Sequence, residues 1–163
     1  MLKIAIKNKP EFVCIVPENR KEITTEGGLN IKKYRKKLTM ILDLLNKKKI
    51  RTSLFINPSL EDIKLSKYLG AKCVEIHAGK ISNQIKKKIN YKNNFNKIKK
   101  CAKLGNKLGL EVHAGHGMDY KTVKILSKIN EINEFNIGHF IIGESIFNGL
   151  NRTIKKFKNN MNQ

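Results

Sequence analysis

Short apolar runs alternate along this chain with longer stretches whose apolar residues recur at helical spacing. Phe12-Val13-Cys14-Ile15-Val16, bounded by Pro10 and Pro17, predicts a buried strand. A polar loop, Glu18 to Asn30, follows it, and Tyr34, Leu38, Ile41, Leu42 and Leu45 then predict a helix. Thr52 to Ile56 reads as the next strand. In Asn57-Pro58 the asparagine suits a helix N-cap and the proline a first helical position. That helix is expected to reach about Leu69 and to stop at Gly70. Further strands are predicted ending at His77, over Glu111–Ala114 and over Phe135–Ile137. Helices are predicted from about Tyr91 to Leu108, closed by Gly109, around Tyr120–Ile129, and from His139 to about Leu150, with a basic helical tail from Arg152. Leu2, Ile4 and Ile6 alternate like a strand, but the segment is short and lysine-rich, so the first nine residues stay ambiguous.

Five strands, each followed by a helix, imply a parallel sheet, either doubly wound or part of a (β/α) barrel. A chain of 163 residues suits one domain, 1–163, and can bury a core. No repeat or low-complexity linker divides it. No run of about 18 uncharged apolar residues exists to span a membrane. The N-terminus lacks the apolar run and cleavage site of a secretion signal. Cys14, Cys73 and Cys101 form no CxxC pair, which fits a reducing cytoplasm and gives no zinc signature.

The chemistry concentrates at strand ends. Glu75 and His77 lie two apart on one strand and share a face, while Val74 and Ile76 take the other. In a barrel this sends the carboxylate and the imidazole toward the lumen. The plain alternative is a satisfied interior polar pair. Glu111-Val112-His113-Ala114-Gly115-His116-Gly117 is a strand opening into a Gly-His-Gly turn, where an imidazole at a barrel mouth serves as a general acid. A rival reading makes His113 and His116, with Asp119 or Glu111, a metal site, although the spacing is not a specific zinc pattern. Gly138-His139 at a helix start would aim backbone N–H groups at an anion, or simply cap the helix. The Thr24-Thr25-Glu26-Gly27-Gly28 loop suits a closing lid or a plain surface loop.

The net charge of +21 allows a nucleic-acid or anionic-membrane partner. Nearly all the excess is lysine, however, and arginine, the residue for bidentate phosphate and base contacts, stands only at Arg20, Arg35, Arg51 and Arg152. Few aromatics are available for stacking. The lysines are expected to coat solvated helix faces, with one cluster of interest at Lys86-Lys87-Lys88, Lys92, Lys97, Lys99 and Lys100.

Val16-Pro17-Glu18-Asn19-Arg20, Thr24-Thr25-Glu26-Gly27-Gly28-Leu29, Glu75-Ile76-His77-Ala78-Gly79, Ala114-Gly115-His116-Gly117 and Asn136-Ile137-Gly138-His139-Phe140-Ile141-Ile142-Gly143 agree in order and spacing. Together they resemble the pyridoxine 5'-phosphate synthase family over essentially the whole chain. The resemblance implies an α/β fold, a partial (β/α)8 TIM barrel of five parallel strands with helices. It implies a cytoplasmic enzyme of vitamin B6 biosynthesis that condenses 1-deoxy-D-xylulose 5-phosphate with 3-amino-2-oxopropyl phosphate, without metal or organic cofactor, as an octamer. By position, His116 matches the proton donor and Glu75 a carboxylate that stabilises a transition state. Thr24 matches a contact to the deoxyxylulose phosphate, and Gly117, Gly138 and His139 match groups that hold the aminoketone phosphate. Three departures stand out. His113 occupies a family asparagine position, Glu144 stands where the family has an arginine-like residue, and the family's first three strands have no counterpart. Those strands carry an Asn-Ile-Asp-His motif, a histidine- and arginine-rich segment and a glutamate.

The resemblance therefore implies the C-terminal portion of such an enzyme: one half of a split enzyme with a separate N-terminal fragment, a mis-started gene, or an inactive remnant. The alternatives from other classes are a non-catalytic, lysine-rich anion or nucleic-acid binder and a metal-dependent β/α lyase or isomerase. Five strands cannot close an eight-stranded barrel, so the isolated chain is expected to be poorly folded or self-associating, and inactive. Sedimentation, thermal melting and an activity assay check this, and a monomeric, cooperatively melting, competent sample would contradict it.

Overall fold

The computed structural model describes residues 1–17 and 27–161. Five strands, β1 (Phe12–Ile15), β2 (Arg51–Ile56), β3 (Cys73–His77), β4 (Glu111–Gly115) and β5 (Glu134–Asn136), form one all-parallel sheet in chain order. The helices are α1 (Leu2–Asn8), α2 (Ile31–Lys47), α3 (Leu60–Tyr68), α4 (Gly79–Lys86), α5 (Lys92–Lys107), α6 (Tyr120–Leu126), α7 (His139–Asn148) and α8 (Leu150–Met161). The result is an open half-barrel flanked by helices, consistent with a partial TIM barrel.

The strand pleat sorts the side chains. Leu54, Ile56, Val74, Ile76, Val112 and Ala114 are fully buried and join one core cluster with helix residues such as Leu42, Ile63, Ile98, Ala102, Val123 and Leu126. These alternate with Ser53, Phe55, Cys73, Glu75, His77, Glu111 and His113, which the register places level across neighbouring strands: Ser53 with Cys73, Phe55 with Glu75, and Glu75 with His113. Apolar residues thus pack under the helices, and a largely polar set lines the opposite, concave face.

Local signals explain most elements. Leu38, Leu42 and Leu45 of α2 are buried at helical spacing, and the Asn30 side chain caps the helix by accepting from Lys33 N. Tyr34 is a correction: it has non-helical angles (φ −102°, ψ 16°) and lies exposed rather than on the buried stripe. The start of α3 is a second correction. Its cap is Ser59, whose hydroxyl accepts from Asp62 N, with Glu61 and Asp62 in the first turn to meet the helix dipole. Asn57 instead accepts from Gly28 N at 3.1 Å, pinning the end of the long loop to the end of β2. Backbone fills any space for a side chain at Gly28. The ambiguous first segment is helical, and α4 is a helix that the apolar spacing of its eight residues was too short to declare.

The two ends of the sheet differ from its middle. Among the described residues β1 pairs only with β2, and β5 only with β4. The helices beside them, α1 and α7, contain no buried residue. Ile142, Ile146 and Phe147 of α7 are 65%, 78% and 86% exposed. By contrast α8 is anchored by Phe157, whose ring lies 4.4 Å from that of Tyr120.

The capping geometry separates two substitutions. Ser59→Ala is expected to cost about 1 kcal/mol of stability through the lost cap. Asn57→Ala leaves the cap intact and removes a loop contact, so it should cost less; thermal melting of the two variants measures the difference.

Candidate active site

The catalytic candidates come together at the C-terminal ends of β3, β4 and β5, where parallel strands deliver side chains to a shared mouth. One cavity of about 520 Å³ is lined there by Glu75, His116, Gly117, Gly138 and His139, together with Phe55, Lys86 and Asn136. Thr24 lies outside the described residues.

Glu75 is half-buried on the concave face. Asn136 Nδ2 donates to its Oε2 at 2.8 Å, and the Cys14 thiol donates to the same oxygen at 3.5 Å. The other oxygen lies over Gly115, where even a Cβ would overlap Oε1. A glycine in β4 therefore makes the seat for a carboxylate from β3. Burial pushes the Glu75 carboxyl above its ordinary range, and the bonds from Asn136 and Cys14 partly offset this. Burial, and next the negative charge of Glu75, push the Cys14 thiol up to about 12, which keeps it a neutral donor.

His116 sits on the turn after β4 with φ 78°, a left-handed conformation that costs a non-glycine residue about 1 kcal/mol or more. Gly117 follows at φ 69°, where glycine is the cheap choice, and its carbonyl accepts from Lys86 Nζ at 2.9 Å. The His116 ring lies beside that of His77, centroid to centroid 4.9 Å. Burial, helped by the proximity of His116, pushes His77 down to about 4, so His77 is neutral at physiological pH.

Gly138 precedes α7, which has no side-chain N-cap, and among the described residues no atom beyond its chain neighbours lies within 4 Å of where a Gly138 Cβ would be. First-turn N–H groups beside open space are the arrangement that receives an anion. Together the site offers one carboxyl, two imidazoles and one N–H cradle around a single cavity.

His113 does not join this mouth. It is completely buried, and its Nε2 lies 2.9 Å from Glu111 Oε1, toward the N-terminal side of the sheet. Asp119 caps α6 by accepting from Thr122 N and Oγ1, both at 2.8 Å. The set His113, His116 and Asp119 is thus not assembled. Cys73, Glu111 and His113 do bring ligand-type atoms within 4.8 Å of one another. Both oxygens of Glu111 are already engaged, however: Oε1 by His113, and Oε2 by Arg51 Nη1 at 2.7 Å. The trio is a hydrogen-bonded floor to the sheet. The sequence reading missed Asn136, Cys14 and Lys86 as site residues. The register would have found Asn136, level with Gly115, but nothing local in sequence marks Lys86 out from its neighbours.

The model of the family described as "Pyridoxal phosphate biosynthesis protein PdxJ" matches residues 1–163. The chain belongs to this family. It is 66% identical over 158 residues to the pyridoxine 5'-phosphate synthase of Pelagibacter ubique, covering 97% of this chain and 66% of the relative. The synthase of Syntrophotalea carbinolica is 44% identical, with 97% and 66% covered, and that of Zymomonas mobilis 42%, with 97% and 61% covered. The chain spans about two-thirds of the length of the curated relatives it matches. Among the described residues no helix is long and apolar enough to cross a membrane.

Two stability measurements follow from these electrostatics. The folded state binds the Glu75 proton more tightly than the unfolded chain does, so ionising Glu75 at neutral pH opposes folding. Glu75→Gln keeps the hydrogen-bonding shape without the charge and should raise the melting temperature at pH 7, with the gain shrinking as the pH falls and Glu75 itself becomes protonated. His77 has the opposite sense. Unfolded chains protonate it near 6.5 and the folded chain only near 4, so stability should fall as pH drops through that window. His77→Phe should flatten this dependence in melting curves taken from pH 7 to pH 4.

Proposed function

We propose that this chain carries the proton-transfer centre of a pyridoxine 5'-phosphate synthase. In this reading it joins 1-deoxy-D-xylulose 5-phosphate to 3-amino-2-oxopropyl phosphate in a cytoplasmic setting. The observation that supports this best is the single cavity shared by Glu75, His116, Gly138 and His139. His116 donates a proton during carbon–oxygen bond cleavage. Glu75, its carboxyl raised by burial, stabilises positive charge developing on the condensing nitrogen when it ionises. The N–H groups at the start of α7, with Gly117 and His139, hold the phosphate of the aminoketone. Lys86, which donates to the Gly117 carbonyl, lines the same cavity and adds positive charge where two phosphorylated substrates would meet.

The matching relatives are half as long again, and both sheet ends here carry helices without a buried face. We therefore place the remaining βα units against β1 and α7, whether they belong to the same polypeptide or to a second one. Octameric assembly, as the resemblance implies, would follow closure of the barrel.

The test is reconstitution. The purified chain is assayed alone and mixed with the N-terminal third of the Pelagibacter ubique relative, with both substrates present and the product followed by mass spectrometry. Product is expected in the mixture. His116→Gln should lower its rate by about 10²–10⁴-fold, the usual worth of a positioned general acid. Failure of every mixture, or an undiminished rate for His116→Gln, would refute the assignment.

A further inference from the structure

The His77 ring packs against the rings of its neighbours. Its Nε2 is shielded from solvent and has no hydrogen-bond partner among the described residues. Its plane is tilted 32° from that of His116, with centroids 4.9 Å apart, an offset stack. Phe55 closes the group edge-on, 5.3 Å from His77 and 6.4 Å from His116. The first residue of α4 admits the pair only because it is glycine. A Cβ at Gly79 would stand 2.8 Å from His77 Nε2, 2.9 Å from its Cε1 and 3.0 Å from His116 Cδ2.

Two further facts ask for such a support. His116 holds a left-handed backbone conformation that persists only where surrounding contacts over-determine it. The strand ends below are locked by Ala78 N donating to Gly115 O at 2.8 Å, so the His77 and His116 backbones cannot slide apart. His116 borders two hollows, the Glu75 cavity and one of about 620 Å³ lined by Lys80, Asn83, Gln84 and Lys87, and His77 stands beside it in the second.

We propose that His77 is a positioning residue for His116, its ring packed against the His116 imidazole so that the imidazole keeps its place at the border of the Glu75 cavity. This rests on the reading of His116 as the proton donor. Stacking is all that the role requires of His77; its nitrogens transfer no proton. A neutral partner ring adds no further cation to a mouth already lined by Lys86.

The decisive experiment uses the full chain with ¹³C-labelled histidine, and reads the His116 Cε1–H and Cδ2–H resonances by NMR. Stacking under a neighbouring ring displaces them from free-histidine positions. His77→Phe keeps an aromatic wall and should retain the displacement. His77→Ala should abolish it, and so should Gly79→Ala, which wedges the rings apart without altering either histidine. In the reconstituted enzyme, His77→Ala is expected to lower kcat by about ten- to a hundredfold with KM little changed, as for a misplaced catalytic group, and His77→Phe to recover most of that loss. Unmoved His116 resonances in both His77→Ala and Gly79→Ala would overturn the proposal, and so would a His77→Phe variant as impaired as His77→Ala. Should His77→Ala fail to fold, Gly79→Ala and His77→Phe decide between these outcomes. If no mixture forms product, the assignment of function fails, while the resonances still decide whether His77 holds His116.

Discussion

Everything in this molecule follows from a parallel sheet covered by helices on one side only. Each strand must give its aliphatic alternate residues to the helices, because that is where the apolar surface is removed from water. The remaining alternates then have no choice of face. Glu75, His77, His113 and Asn136 point to the concave side for the same reason that Val74, Ile76 and Val112 do not. Chemistry and core are therefore two readings of one pleat. A polar residue on the covered side would cost burial without a partner, and an apolar residue on the concave side would remove a functional group without helping the core.

Much of this was legible in the sequence, and the limits have physical causes. Strand and helix order came directly from the change of period between 2 and 3.6, and Glu75 with His77 could be assigned a face because two residues on a strand fix one. Interactions between elements were not legible. Asn136 reaches Glu75 across an intervening strand, a separation of 61 residues, and the requirement for glycine at Gly115 arises from a carboxylate 40 residues earlier. His113 misled for a related reason: spacing put it beside His116, but the pleat sends His113 to the floor while the turn carries His116 to the mouth. At Asn57-Pro58 two good capping residues lost to Ser59, because Asn57 was already engaged with Gly28. Residues 18–26, which include Thr24, are not described, so the lid expected of that loop stays a matter of sequence alone.

The charge and the architecture pull in different directions. A net charge of +21 spread over helix surfaces repels like copies at low ionic strength, which works against association of two chains through their open sheet ends. Few of these charges are neutralised: Lys32 pairs with Glu61 at 2.7 Å on an exposed helix face, a contact of small energetic weight. Among the described residues, Lys86 is tied to the turn that carries His116, through the Gly117 carbonyl. A lysine excess that looks uniform in composition is thus unequal in consequence.

The edges of β1 and β5 that pair with no described strand also act as a filter on whatever joins them. Because faces alternate with a period of two, a newcomer shifted by one residue would present its polar side to the helices and its aliphatic side to the concavity. Only registers separated by two residues keep both layers consistent. An edge of this kind tolerates many sequences but admits them in discrete steps, so the sheet measures the alignment of an incoming strand without recognising any particular side chain.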